Sequence, residues 1–82
     1  MITIIDVDGI CVETEIPKGQ NVIQLANEMI GWVEPIYLPK KKVMLVDEEG
    51  RLKKLLVNVE ATKVAGQTIV GKVIVCDVRL LN

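Results

Sequence analysis

A chain of 82 residues carrying a formal charge of −1 makes one domain, with no room for a second core. Ten basic residues stand against eleven acidic ones, which argues against a dedicated nucleic-acid binder, normally basic, and equally against an acidic DNA mimic. Histidine is absent, which removes the commonest general base, proton shuttle and metal ligand together.

The clearest local signal lies at the start, where Asp8-Gly9 separates two β-rich runs between Ile2 and Ile16. That dipeptide suits a two-residue type I′ hairpin turn. Closed that way, the hairpin sets Val7 opposite Ile10, Ile5 opposite Val12 and Thr3 opposite Thr14. One face then carries Ile5, Val7, Ile10 and Val12, and the other Asp6, Cys11, Glu13 and Glu15. Ile2 and Ile4 fall on the polar side, which assigns them to a second covered face or a subunit contact. Pro17, Gly19 and Gln20 end the hairpin.

Asn21 is an N-cap with Gln24 at the third helical position to reach back toward it. Val22, Leu25, Ala26 and Met29 recur at helical spacing, with Ile23 and Ile30 widening the stripe. Gly31 is the natural C′ residue, so the helix is predicted over Val22 to Ile30, packed on the sheet. Trp32 to Leu38 reads as a strand in which Pro35 cannot donate to a ladder, hence an edge strand or a bulge. Pro39 and Lys40–Lys42 read as a solvated turn, Val43 to Val46 as a short strand, and Asp47-Glu48-Glu49-Gly50 as a connection.

Arg51 to Val57 either continues a hairpin or forms a single helical turn; the spacing of Leu52, Leu55 and Leu56 fits the turn better. Thr62 to Gly66 reads as a loop, and Thr68 to Val78 as the longest β-rich run, with Gly71 marking a bulge or a close backbone approach. These elements predict a single small α+β domain over residues 1–82, an antiparallel sheet (mixed pairing being the alternative) with one main helix and an N-terminal β-hairpin.

Half the residues are hydrophobic, yet only Trp32 and Tyr37 are aromatic. Aliphatic side chains at that density exceed what one small monomer hides, and surplus apolar surface becomes an interface; a homo-oligomer is expected. No apolar run approaches the ~20 residues that span a bilayer, and no basic-then-apolar leader opens the chain, so the expectation is a soluble, cytoplasmic protein without a membrane partner. Cys11 and Cys76 sit in apolar, strand-like contexts and read as reduced core thiols, with a disulfide as the alternative.

The run Ile2 to Ile10, a hydrophobic strand ending in Asp6-Val7-Asp8-Gly9, resembles the nucleophile motif of haloacid-dehalogenase-type phosphatases. Ile10 stands where their threonine belongs, and the following residues read as a return strand, not the crossover that parallel strands need. The same residues do not form a calcium loop, because Pro17 occupies the position of its last glutamate. A plain turn is the better reading. Asp47, Glu48 and Glu49 likewise read as a solvated acidic turn, and no metal or cofactor is expected.

Lys40, Lys41 and Lys42 form one basic group, and Arg51, Lys53 and Lys54 a second. A turn between them would join the two into an anion-binding patch, against the default of solvated surface. Nucleic acid is disfavoured, since stacking platforms need aromatics. Trp32 reads as core or interface, with a ligand-stacking wall as the alternative. Asn58 reads as an amide satisfying backbone groups, with a ligand contact as the alternative. The candidate ligand-binding residues are therefore Trp32, Tyr37, Arg51, Lys53, Lys54 and Asn58; no residue is a catalytic candidate.

The helix Val22–Ile30 with Gly31, the Val33-Glu34 strand start, the run Asp47 to Lys53, Asn58 and Ile69-Val70-Gly71-Lys72-Val73 together resemble a family of short proteins of unknown function. Such proteins are encoded largely by phages, plasmids and other mobile elements. Leu55-Leu56-Val57 replaces the Asp-Pro-type turn that often flanks the family's asparagine. The resemblance implies a small α+β fold and a mobile-element setting, and it carries no chemistry. The expected function is a non-enzymatic binding protein, oligomeric, acting on a host protein or other host component; the alternative is a protein that binds or sequesters an anionic, nucleotide-like small molecule.

Overall fold

A computed structural model describes residues 1–81. Five strands, β1 (Ile2–Ile5), β2 (Cys11–Thr14), β3 (Val33–Leu38), β4 (Lys42–Asp47) and β5 (Val73–Asp77), form one sheet in the order β2-β1-β5-β4-β3. Every neighbouring pair is antiparallel. Helix α1 (Val22–Met29) lies on one face and α2 (Val59–Ala65) on the other, and a 3₁₀ turn at Val78–Leu81 packs beside α1. The fold is α+β, with the expected N-terminal hairpin.

Two covered faces explain why the central strands read as unbroken apolar runs, since a strand buried on both sides has no polar face to alternate. Val43, Leu45, Ile74 and Cys76 join Ile2 against Val22, Leu25 and Ala26 of α1. Met44, Val46, Val73 and Ile5 pack with Ala61 of α2 and Ile69 on the other side. Strand β3 is an edge, the first of the two readings of Pro35.

The hairpin register differs from the expected one by a single residue. Of the pair Asp8-Gly9 only Gly9 takes a positive φ, 89°, whereas a type I′ turn needs both. The Asp6 amide donates to Ile10 and the Gly9 amide donates back to Asp6, each at 3.1 Å, which encloses Val7, Asp8 and Gly9 in a three-residue loop. Side chains favour this geometry: Asp6 accepts from the Val7 amide and Asp8 from the Ile10 amide. Ile2 therefore faces Thr14, Ile4 faces Val12 and Ile5 faces Cys11. Ile2 and Ile4 point to the α1 side and Ile5 to the α2 side.

The α1 cap forms as read: Asn21 Oδ1 accepts from the Gln24 amide and Gln24 Oε1 from the Asn21 amide, both at 2.9 Å. Helix α2 replaces the loop expected over Thr62 to Gly66. Its apolar residues packed on the core are only the small Ala61 and Ala65, too weak a stripe to announce a helix. Asn58 caps its first turn and Gly66, at φ 72°, ends it. The long β-rich run shortens to β5, because Val78 turns into the 3₁₀ segment and Gly71, at φ 79°, breaks the strand. Cys76 is buried, but Cys11 is exposed on the edge strand β2, and both thiols are free, so the core reading holds for Cys76 alone.

Candidate functional site

The connection from Gly50 to Asn58 is irregular in path and closely held. The Lys53 amide donates to Glu49 at 3.0 Å, Lys54 to Arg51 and Leu55 to Gly50, each at 3.2 Å. These are the bonds of a single helical turn, the better of the two readings of this stretch. Further along, Val57 bridges Val70, while the Gly71 amide donates to Leu56 and the Asn58 amide to Ile69, both at 2.8 Å. Two glycines allow the close fit. A Cβ at Gly50 would stand 2.7 Å from Val70 Cγ2, and one at Gly71 2.7 Å from Leu55 Cδ1.

Asn58 is the anchor of this region and is wholly buried. Its Nδ2 donates to the carbonyls of Ile5 (3.0 Å) and Gly71 (2.8 Å), while its Oδ1 accepts from the Ala61 amide at 3.0 Å. The amide has no hydrogen left to offer a ligand. Of the two readings of Asn58, the geometry realises the backbone-satisfying one.

Between this connection, the end of α1 and the ends of β1 and β4 lies a cleft of about 350 Å³. Met29, Ile30, Leu55 and Leu56 give it an apolar wall, and two ion pairs border it. Lys53 Nζ lies 2.8 Å from Oδ2 of the buried Asp47, and Lys72 Nζ lies 3.6 Å from Asp6 Oδ2. The hydrogen bond to Asp47 holds the Lys53 ammonium above the ordinary lysine range, against some desolvation. An amine kept protonated is neither nucleophile nor base at neutral pH. Asp47 also caps the turn, accepting from the Glu49 amide at 2.8 Å.

Among the predicted residues, only Lys53 lines this cleft. Arg51 lines a second hollow of about 240 Å³ on the α2 side, with Glu34, Gln67 and Ile69. Lys54 is exposed at φ 55°. Trp32 is 69% exposed and so is not core; it borders a shallow hollow with Asn27 and Gly31. Tyr37 is 66% exposed on β3, opposite Val43 near the other end of β4. The two lysine-rich groups stand at opposite ends of β4, so no single patch joins them. Asp6, Asp47 and Lys72 belong to the cleft, although the sequence places Asp6 and Asp47 only in acidic turns and Lys72 only beside Gly71. Each looked like an ordinary turn or strand-end residue, and their convergence arises from tertiary pairing alone.

Among the described residues, no cluster of three or more histidine, cysteine or acidic side chains could hold a metal ion, and no helix is long and apolar enough to cross a membrane. Compared with known proteins, the chain matches no family model, no curated protein and no solved structure.

Proposed function

We propose that the chain is a non-enzymatic binding module that docks on a protein partner through the β4–α2 connection. The observation that carries this reading is the exposure of Leu52 (82%), Leu56 (72%), Val57 (50%) and Val59 (57%) within eight residues of chain. Their backbone is fixed by the hydrogen bonds and glycine approaches above, so the side chains are displayed on a pre-ordered support. Apolar side chains on an ordered frame lose little entropy on binding. Leu56 borders the cleft on the α1 side and Leu52 the hollow on the α2 side, so the segment offers apolar side chains to both. The adjacent cleft offers a recess for an incoming apolar side chain beside Leu56.

The edge strand β2, with Val12 exposed on it and Ile10 exposed just before it, supports assembly as a small homo-oligomer, since an uncovered edge pairs readily with a second chain. The sequence resemblance supports a phage or mobile-element setting with a host component as the partner. The anionic small-molecule alternative draws on Lys53 and Lys72 in one cleft, but each already faces a carboxylate, which leaves the protein-docking reading stronger.

Affinity capture from a bacterial host with wild-type protein and with Leu52→Ser/Leu56→Ser tests the reading, alongside native mass spectrometry. The expected result is an oligomer that retains a specific host protein, with retention lost in the double variant at unchanged fold. A monomer that captures nothing above background overturns it. A dissociable nucleotide-range mass bound to the wild type, and lost on Lys53→Ala/Lys72→Ala, transfers the assignment to the small-molecule alternative.

A further inference from the structure

At the end of β4 opposite the cleft, charge of one sign accumulates. Lys40 and Lys41 in the β3–β4 turn and Lys42 at the start of β4 are exposed, and among the described residues none of them enters an ion pair. The Val78 amide donates to the Lys41 carbonyl at 2.9 Å, which ties the 3₁₀ segment to this turn and brings Arg79 to the same end. Lys42 sits opposite Asp77 in the sheet, and Lys42, Asp77 and Arg79 line one open hollow. Asp77 is already engaged by Arg79 through contacts of 3.1 and 3.2 Å. Four cations thus share one carboxylate.

Most of the acidic residues on or next to the strands lie elsewhere. Asp6, Asp8, Asp47, Glu48 and Glu49 belong to the cleft end of the sheet. Glu13 is on β2, three strand positions from β4, a separation of about 14 Å at the usual strand spacing. That exceeds the screening length of about 10 Å at moderate salt. The whole-chain charge of −1 therefore averages over regions that differ in sign, with Glu15, next to Thr14 opposite Ile2, set toward the basic end on the far edge strand.

Two features set this turn apart from an ordinary solvated loop. Lys40 and Lys41 hold φ of 64° and 60°, a conformation in which glycine or asparagine is at rest and lysine is not. Strained positions kept by an unsuited residue point to a use for its side chain. Tyr37 lies three residues before Lys40 and is 66% exposed, an aromatic ring left in solvent at the same end of the sheet as these cations, on the face it shares with Val43 and opposite the one that carries Lys42. Lysines that meet phosphates next to a ring that meets a base are the elements of single-strand recognition. An acidic polypeptide would be held by the cations and would have no use for the ring.

We infer that the β3–β4 turn is a single-stranded nucleic-acid contact, in which Lys40, Lys41 and Lys42 meet backbone phosphates and the Tyr37 ring stacks on a base. The site is separate from the docking surface proposed above and stands without it.

Fluorescence anisotropy with labelled oligo-dT and oligo-rU tests the inference. Three phosphate contacts to a single strand give a slope of about −2 in log K against log salt. Affinity then falls roughly twenty-fold between about 50 and 200 mM salt. Lys40→Asn/Lys41→Asn removes two charges while suiting the left-handed backbone, and it is expected to reduce the slope to about −0.7. Tyr37→Leu is expected to weaken binding roughly 5- to 150-fold with the slope unchanged, and Tyr37→Phe to restore it. Lys18→Asn, an exposed lysine beyond β2, is expected to leave affinity as it was. Absence of binding at low salt overturns the inference. So does binding that Tyr37→Leu leaves intact and polyglutamate displaces as well as polyuridylate, which would identify an acidic polypeptide as the partner.

Discussion

The carboxamide of Asn58 donates to the carbonyl of Ile5, 53 positions earlier in the chain, across 3.0 Å. Through this bond the last turn before α2 is fastened to the end of β1, and through the second, to Gly71, both are fastened to the approach to β5. Asn58→Ala removes a donor from two buried carbonyls, of which that of Ile5 keeps its ladder partner on β5, and it uncaps α2, a combined loss of about 3 kcal/mol. Thermal unfolding is expected to drop by roughly 15 °C for a domain of this size. Asn58→Asp keeps the cap but turns a double donor into an acceptor facing two carbonyls. It is expected to be the worse variant at neutral pH and to recover as acid protonates the carboxyl. Urea denaturation of the three proteins at neutral and acid pH checks the ranking. Equal stability of Asn58→Asp and wild type at neutral pH would contradict it.

Gly71 and Gly66 separate two reasons for glycine. Both hold a positive φ, at 79° and 72°, but a Cβ at Gly66 meets nothing within 4 Å. Gly66→Ala is expected to cost about 1 kcal/mol from backbone strain alone. Gly71→Ala adds the overlap with Leu55 Cδ1 and is expected to cost distinctly more. Leu55→Ala removes the obstructing atoms, so the double variant Gly71→Ala/Leu55→Ala should be more stable than the sum of the single losses allows. Additive losses in chemical denaturation would show that Leu55 does not press on Gly71.

Legibility in the sequence followed the range of the interactions involved. The α1 cap was readable because Asn21 and Gln24 satisfy each other three residues apart. Pro35 narrowed its strand to an edge or a bulge because a missing donor cannot serve a central ladder, and β3 is the edge. The hairpin turn was found but misregistered, since Asp6 and Asp8 stabilise a longer loop with their own carboxylates. Helix α2 escaped notice because its apolar residues packed on the core are alanines and its fastening to Ile5 and Gly71 is tertiary. The cleft draws on residues from Asp6 to Lys72, and no local pattern links them. Net charge concealed the basic turn for a related reason: a sum carries no position.

The Lys53–Asp47 pair gives stability an alkaline limit. The Lys53 pKa is raised in the folded state, chiefly by the hydrogen bond to Asp47, so the folded protein holds this proton more tightly than the unfolded chain does. Its contribution is present in full below the ordinary lysine value of 10.5 and is lost as pH rises through the higher folded value. Lys53→Met should therefore differ from wild type by a constant margin up to about pH 10, a margin that shrinks beyond it. Urea midpoints between neutral pH and pH 12 check the sign. A margin that widens with alkali would mean that the pair does not stabilise the fold.

The two thiols differ in a way that reports on folding directly. Cys11 is exposed, whereas Cys76 is 2% exposed, packed against α1 in the core. Burial, aided by the neighbouring Asp77 charge, pushes the Cys76 thiol above its ordinary pKa of 9.0. Since only the thiolate attacks a disulfide reagent, Cys76 is shielded twice, by lack of access and by lack of ionisation. One thiol per chain is expected to react promptly with an aromatic disulfide reagent under native conditions. The second should react only as fast as the protein unfolds, accelerating with urea. The raised thiol pKa also means that the unfolded chain ionises first as pH climbs past 9.0, so Cys76 too withdraws stability in alkali. That loss is common to wild type and Lys53→Met and cancels in their difference. Prompt reaction of both thiols in the native protein would show that the face between α1 and the sheet opens without global unfolding.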